Sequence, residues 1–157
     1  MINSEKILFP VVSGFNLNRE EKEFPRDFIG DLNLVIVAFQ QNQQLTVNTW
    51  IPTARQLEKD YPGFVYYELP TIYEMPAISR TFINEGMRAG IPDPVARERT
   101  VTLYIDKASF RSALEIPDEN DIYLFLVNRE GSILWRSTGT YTVDKAQSLL
   151  SAIIENQ

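Results

Sequence analysis

The stretch 35–69, "VIVAFQQNQQLTVNTWIPTARQLEKDYPGFVYYEL", decides the fold. It opens inside an apolar, β-branched run, "LNLVIVAF" (32–39), of the kind found in a strand buried on both faces. A helix is expected from about 46 to 61, because Val47, Trp50, Ile51, Ala54, Leu57 and Tyr61 recur at spacings of three and four. Pro52 should kink that helix and Pro62-Gly63 should stop it. "FVYYELP" (64–70) reads as the next strand, with Tyr66 and Tyr67 on opposite faces. The joint between strand and helix holds only glutamines, an asparagine, a leucine, a threonine and a valine.

Outward from this unit, strands and helices alternate. Upstream, residues 7–12 and 24–28 flank a charged turn, "NREEKE" (18–23), and suggest a short hairpin or a wrapped arm over residues 1–30. Downstream, 75–89 reads as a helix with Ile78 and Phe82 inward and Met87 a further candidate for that side, and 91–99 as a proline-broken loop before a strand at 100–106. Asp106 is a fitting N-cap for "KASFRSAL" (107–114). Two strands, 121–127 and 132–139, are joined by "NREG", where Gly131 can take a positive φ. Alternation puts Trp135 on the face of Ile133, so both should be buried. Thr142 should cap a last helix whose apolar face is Val143, Ala146, Leu149, Leu150, Ile153 and Ile154.

The order implies an α/β fold: a largely parallel sheet with helices on both faces, and a closing hairpin as an antiparallel edge. No repeat or linker divides the chain, so 1–157 reads as a single domain, with the arm at 1–30 and the core at 31–157.

Composition closes many functional classes. The sequence contains no cysteine and no histidine, which removes thiolate chemistry, the commonest general base and the commonest transition-metal ligand. No acidic loop has calcium-type spacing and no glycine-rich phosphate loop appears among the seven glycines. No catalytic residue, metal site or cofactor is therefore expected. The net charge of −6 argues against nucleic acid as a partner. No apolar run approaches the roughly 20 residues of a membrane helix, so an integral membrane protein is not expected. The start, "MINSEKILFPVVSGF" (1–15), shows neither a secretory signal nor a transit-peptide pattern. That places a bacterial chain in the cytoplasm and leaves an organellar setting open.

The run 35–69 resembles the first strand, active-site turn, kinked helix and second strand of thioredoxin-like proteins. Matching Phe39 and Pro52 to that family's phenylalanine and helix-kinking proline puts its Cys-x-x-Cys positions on Gln44-Leu45-Thr46-Val47. The upstream "GFNLNREEKEFPRDFIGDLNLVIVAF" (14–39) resembles the arm of peroxiredoxins. Residues 81–117 and 122–139 look like the family of ATP synthase assembly factor ten. The residues that carry this are Gly86, Met87, Arg88, Arg99, Thr100, Gly131, Ile133, Trp135 and Arg136. These are cysteine-poor thioredoxin-like proteins that help assemble the membrane sector of ATP synthase. The resemblance implies a protein partner, with a membrane-complex client as its specific form.

Two sets of residues are candidates for binding. Gln43, Gln44 and Thr46 either satisfy backbone groups at the helix start or line the old active-site groove. The segment 86–99, "GMRAGIPDPVARER", is expected to form a partner surface through Met87, Arg88, Arg97 and Arg99. The alternatives are that Met87 is core and that the arginines form salt bridges with Glu85, Asp93 and Glu98. Trp50 reads as core. Pro117 is separated by Asp118 to Asp121 from the strand that a thioredoxin would precede with its peptide-gripping cis-proline. The expected function is a redox-inactive thioredoxin-fold protein that binds or assembles a partner. The alternatives are a small-molecule or regulatory module using the vacated groove, and an enzyme working through carboxylates, tyrosine or arginine, which no paired-carboxylate motif supports.

Overall fold

The computed structural model describes residues 7–157. The first six residues, which belong to the expected arm and to the stretch read for a signal, lie outside the described residues. Chain order is β1 (Val12–Asn16), β2 (Glu21–Phe24), β3 (Leu32–Ala38), a 3-10 turn (Gln41–Gln43), α1 (Gln44–Asn48), α2 (Ile51–Asp60), β4 (Phe64–Tyr73), α3 (Ala77–Gly90), α4 (Pro94–Arg99), β5 (Val101–Ile105), α5 (Lys107–Ala113), β6 (Tyr123–Asn128), β7 (Ile133–Thr138) and α6 (Val143–Glu155).

The strands form a mixed seven-stranded sheet in the order β2-β1-β5-β4-β3-β6-β7. β3, β4 and β5 run parallel, as β-α-β connections require; β1, β2, β6 and β7 join their neighbours antiparallel. Alternation along β3 splits the core in two. Leu32, Leu34 and Ile36 meet Trp50, Ala54, Leu57, Leu149 and Ile153 under α2 and α6. Val35 and Val37 meet Phe9, Phe24, Phe28 and Phe110 on the face covered by α5 and the N-terminal segment. Tyr66 and Tyr67 do point to opposite faces, and both are buried. Asn33, buried in the same strand, is satisfied by Gly30 and by the carbonyl of Val127.

Several sequence expectations shift, each for a local reason. The helix at 46–61 is interrupted at Thr49-Trp50, and α2 starts afresh with Pro52 in its first turn, where a missing N–H costs nothing. Gly63, at φ 91°, ends the following turn. The N-terminal hairpin is real, but its turn is shorter than expected. Asn16 Oδ1 accepts from the backbone N–H groups of Asn18 and Glu20, so strands 12–16 and 21–24 pair directly. Residues 7–9 run instead beside the start of β7. The "loop" 91–99 contains α4, because Asp93 caps it and Pro94 opens it.

In β7 a bulge opposite Leu126/Val127 breaks alternation. Ile133 therefore packs on one core while half-buried Trp135 turns to the other, edge-on to Trp50. Val143 and Ile154 are exposed; the buried stripe of α6 is Leu149, Ala152 and Ile153. Helix α3 contains no buried residue at all. Its half-buried Ile83 and Met87 side faces the protein, which leaves Ile78 and Phe82 in solvent, contrary to the inward placement expected.

Candidate functional site

At the joint after β3, Gln43 is 6% exposed and bonded to its own backbone surroundings. Its Oε1 accepts from the N–H groups of Phe39 (2.8 Å) and Gln40 (3.2 Å). Its Nε2 and that of Gln40 both donate to the Glu119 carbonyl, at 2.8 Å each. Glu119 in turn accepts from Lys107 (2.7 Å) and Arg111 (3.5 Å), so the segment after Pro117 is tied to the turn. Of the two readings of Gln43, this geometry is the capping one. Thr46 is half-buried, and its carbonyl accepts from the N–H and hydroxyl of Thr49.

Gln44 differs. It is exposed at the start of α1, and its Nε2 donates to Asn48 Oδ1 (2.9 Å) and Glu68 Oε1 (3.2 Å). Val47, one turn later, is buried. An open first position and a covered second one are what a Cys-x-x-Cys pair would occupy; here neither carries sulfur. Glu68 escaped notice in the sequence, although a lone carboxylate in the apolar strand "FVYYELP" was a usable signal. Burial pushes its carboxyl above the ordinary range, opposed by the Gln44 hydrogen bond and the charge of Arg55. The Ile116–Pro117 peptide is trans: among the described residues the cis peptide is Phe24–Pro25.

The segment 86–99 turns its candidate side chains toward the protein. Arg88 Nη1 donates to the Leu17 carbonyl (2.7 Å) and, at longer range, to Asn18 Oδ1. Arg97 donates to the carbonyls of Ile91 and Arg88, which closes the α3–α4 corner. Arg99 Nη1 donates to Glu58 Oε1 (2.7 Å) and to the Tyr66 carbonyl (3.3 Å), and its Nε is buried without a partner. Met87 is half-buried, its sulfur 3.6 Å from the Thr102 hydroxyl that donates to it. Glu85 pairs with Arg19 and Asp93 caps α4. Neither forms an ion pair with Arg88, Arg97 or Arg99, nor does Glu98, among the described residues.

What this region leaves in solvent is the outer side of α3. Ile78 is 86% and Phe82 82% exposed, and Gly86 and Gly90 have open space where a side chain would stand. Beside it, a cleft of about 310 Å³ opens between the β1–β2 turn and α3. Among the described residues no helix is long and apolar enough to cross a membrane.

No family model matches this chain, and no curated protein matches it either. Solved structures do match. One is a thiol:disulfide interchange protein from Bacteroides sp., with TM-score 0.62 and 17% identity over 96% of this chain and 91% of that one. Another is the exposed lipoprotein thioredoxin of Streptococcus pneumoniae, with TM-score 0.59 and 9% identity over 93% and 99%. A third is BsSco, a member of the Sco family of cytochrome c oxidase assembly proteins, with TM-score 0.60 and 9% identity over 99% and 96%. At these identities the likeness is one of fold: the chain has an α/β, thioredoxin-like fold. Thiol–disulfide exchange needs sulfur nucleophiles, and this sequence has no cysteine to supply them.

Proposed function

We propose that this chain is a non-catalytic thioredoxin-fold protein that binds a protein partner on the outer side of α3, in the role of an assembly factor. The observation that carries the proposal is the exposure of Ile78 and Phe82, one turn apart on a helix with no buried residue. Exposed apolar side chains that adjoin one another mark surfaces of association. The bare backbone at Gly86 and Gly90 lets a partner approach closely. In this reading Met87, Arg88, Arg97 and Arg99 act behind the surface: they fix α3 and α4 against the β1–β2 turn, α2, β4 and β5.

The resemblance of 81–139 to the ATP synthase assembly factor family supports a membrane-complex client. So does the use of this fold by a cytochrome c oxidase assembly protein, as an analogy of fold. A second reading, a small polar ligand in the vacated joint, is favoured by one contact, the exposed Gln44 beside the half-buried carboxylate of Glu68.

The test uses the full chain carrying a photo-crosslinker at the exposed position 89 of α3, in the parent and in Ile78→Ser/Phe82→Ser, both in native cells. A discrete crosslinked partner that belongs to a membrane complex, lost from the double variant at unchanged thermal midpoint, is the expected result. A partner retained by the folded double variant would refute the surface. A metabolite retained on purification and displaced by Gln44→Ala would instead favour the joint.

A further inference from the structure

The cleft between the β1–β2 turn and α3 has a charge opposite to that of the molecule. The chain carries a net charge of −6, yet three arginines, Arg19, Arg80 and Arg88, line this cleft with a single carboxylate, Glu85. Arg19 takes up Glu85 in a two-pronged ion pair, at 2.7 and 3.2 Å. Two positive charges are left. Arg88 spends one of its terminal nitrogens on the Leu17 carbonyl. The guanidinium of Arg80 makes no ion pair or hydrogen bond among the described residues, although its backbone carbonyl lies 3.2 Å from the Tyr104 hydroxyl. Asn84 is fixed by the same hydroxyl: Tyr104 donates to Asn84 Oδ1 at 2.8 Å, which leaves the amide NH₂ as the unused end. The rest of the lining is apolar at Phe15, Leu17 and Ala77 and polar at Asn16 and Thr81.

We propose that this cleft is a binding site for a carboxylate that carries a short apolar group, held by the guanidinium of Arg80 with Arg88 and Asn84, its apolar part against Phe15. A planar guanidinium fork matches a carboxylate in two parallel hydrogen bonds, which is why arginine rather than lysine suits this ligand. The volume of about 310 Å³ equals that of roughly ten waters in the liquid. It therefore takes a ligand of about that many heavy atoms, or the last residue of a chain. Both sources present the same chemistry: a free apolar acid, or the C-terminal carboxylate of a peptide ending in an apolar residue. The site is independent of the partner surface proposed above, since Ile78 and Phe82 are not among its lining residues.

The probes are N-acetyl-L-leucine, its uncharged amide, and a pentapeptide ending in leucine with either a free or an amidated C-terminus. Each is titrated into the full chain and followed by amide chemical shifts of Ala77 and Thr81. The acid is expected to give saturable shifts, and its amide to bind about tenfold more weakly or worse. Arg80→Gln should weaken the acid about tenfold while leaving the thermal midpoint unchanged, and Arg80→Lys should fall between. A free-acid peptide tighter than N-acetyl-L-leucine assigns the site to chain ends, and the reverse assigns it to small acids; both support the carboxylate. The proposal is overturned by absence of saturation, by equal affinity for acid and amide, or by a folded Arg80→Gln variant that binds as well as the parent. The acid–amide comparison on the parent decides the matter even if the variants do not fold.

Discussion

Glu68 accepts a hydrogen bond from Gln44, where the match to thioredoxin-like sequences puts the first cysteine of a Cys-x-x-Cys pair and this chain has none. Gln44 is exposed, and burial holds the pKa of Glu68 above the unfolded value. The consequence for stability has a definite sign. Below the unfolded pKa the group is neutral in both states and costs nothing; as pH rises through the folded pKa, ionising it in place lowers stability. Glu68→Gln is therefore expected to unfold at a higher temperature than the parent at pH 7 and to lose that advantage in acid. Melting curves from pH 3 to 8 check this, and a variant no more stable at pH 7 would refute it. Gln43, next to Gln44 in sequence, has a different task. The sequence offered two roles for Gln43, Gln44 and Thr46; Gln43 turns inward to the Phe39 and Gln40 N–H groups and to the Glu119 carbonyl, while Gln44 stays exposed.

At the scale of elements, α3 and α4 show how arginines that look like surface grips become internal ties. The 20-residue span from Arg80 to Arg99 lies beside Glu85, Asp93 and Glu98 in sequence, but Arg99 finds Glu58 on α2, 41 positions away. Glu58 also accepts from the Tyr66 N–H, so this ion pair joins α2, β4 and the end of α4. Both side chains are mostly buried. Removing one partner of such a pair strands the other, at a cost of about 3 kcal/mol. Arg99→Ala should lose about that much in urea unfolding, and a loss below about 1 kcal/mol would show the pair to be a weak surface contact. Helix existence was legible at 75–89 from periodicity. Its rotation was not, because two apolar stripes, Ile78–Phe82 and Ile83–Met87, compete for the inward side. The contacts of Met87 with Thr102 and of Asn84 with Tyr104 lie on the second.

For the whole molecule, the sheet order and the start of α1, with Gln44 exposed and Val47 buried, make a thioredoxin-like scaffold with no cysteine in it. The parent is expected to reduce neither insulin disulfides nor peroxide above blank. Gln44→Cys combined with Val47→Cys should restore a pair in the register that the fold provides. Two thiols should react with a labelling reagent in the reduced variant and none after mild oxidation, with the far-ultraviolet spectrum unchanged. Thiols that stay free in the oxidised, folded variant would show that the joint no longer has that register. What the sequence by itself determined is the class of fold, the burial of β3 on both faces, the positive φ of Gly131, the caps at Asp106 and Thr142, and the absence of sulfur chemistry. Each of these is set within a few residues, by period, by turn chemistry or by composition. Tertiary structure alone decided which side of α3 meets water, which way Trp135 turns past the bulge, where Arg88, Arg97 and Arg99 find their acceptors, and that Arg19, Arg80 and Arg88 share one cleft. Those outcomes depend on partners far away in the chain. Local periodicity carries no information about a carbonyl or carboxylate that arrives from another element.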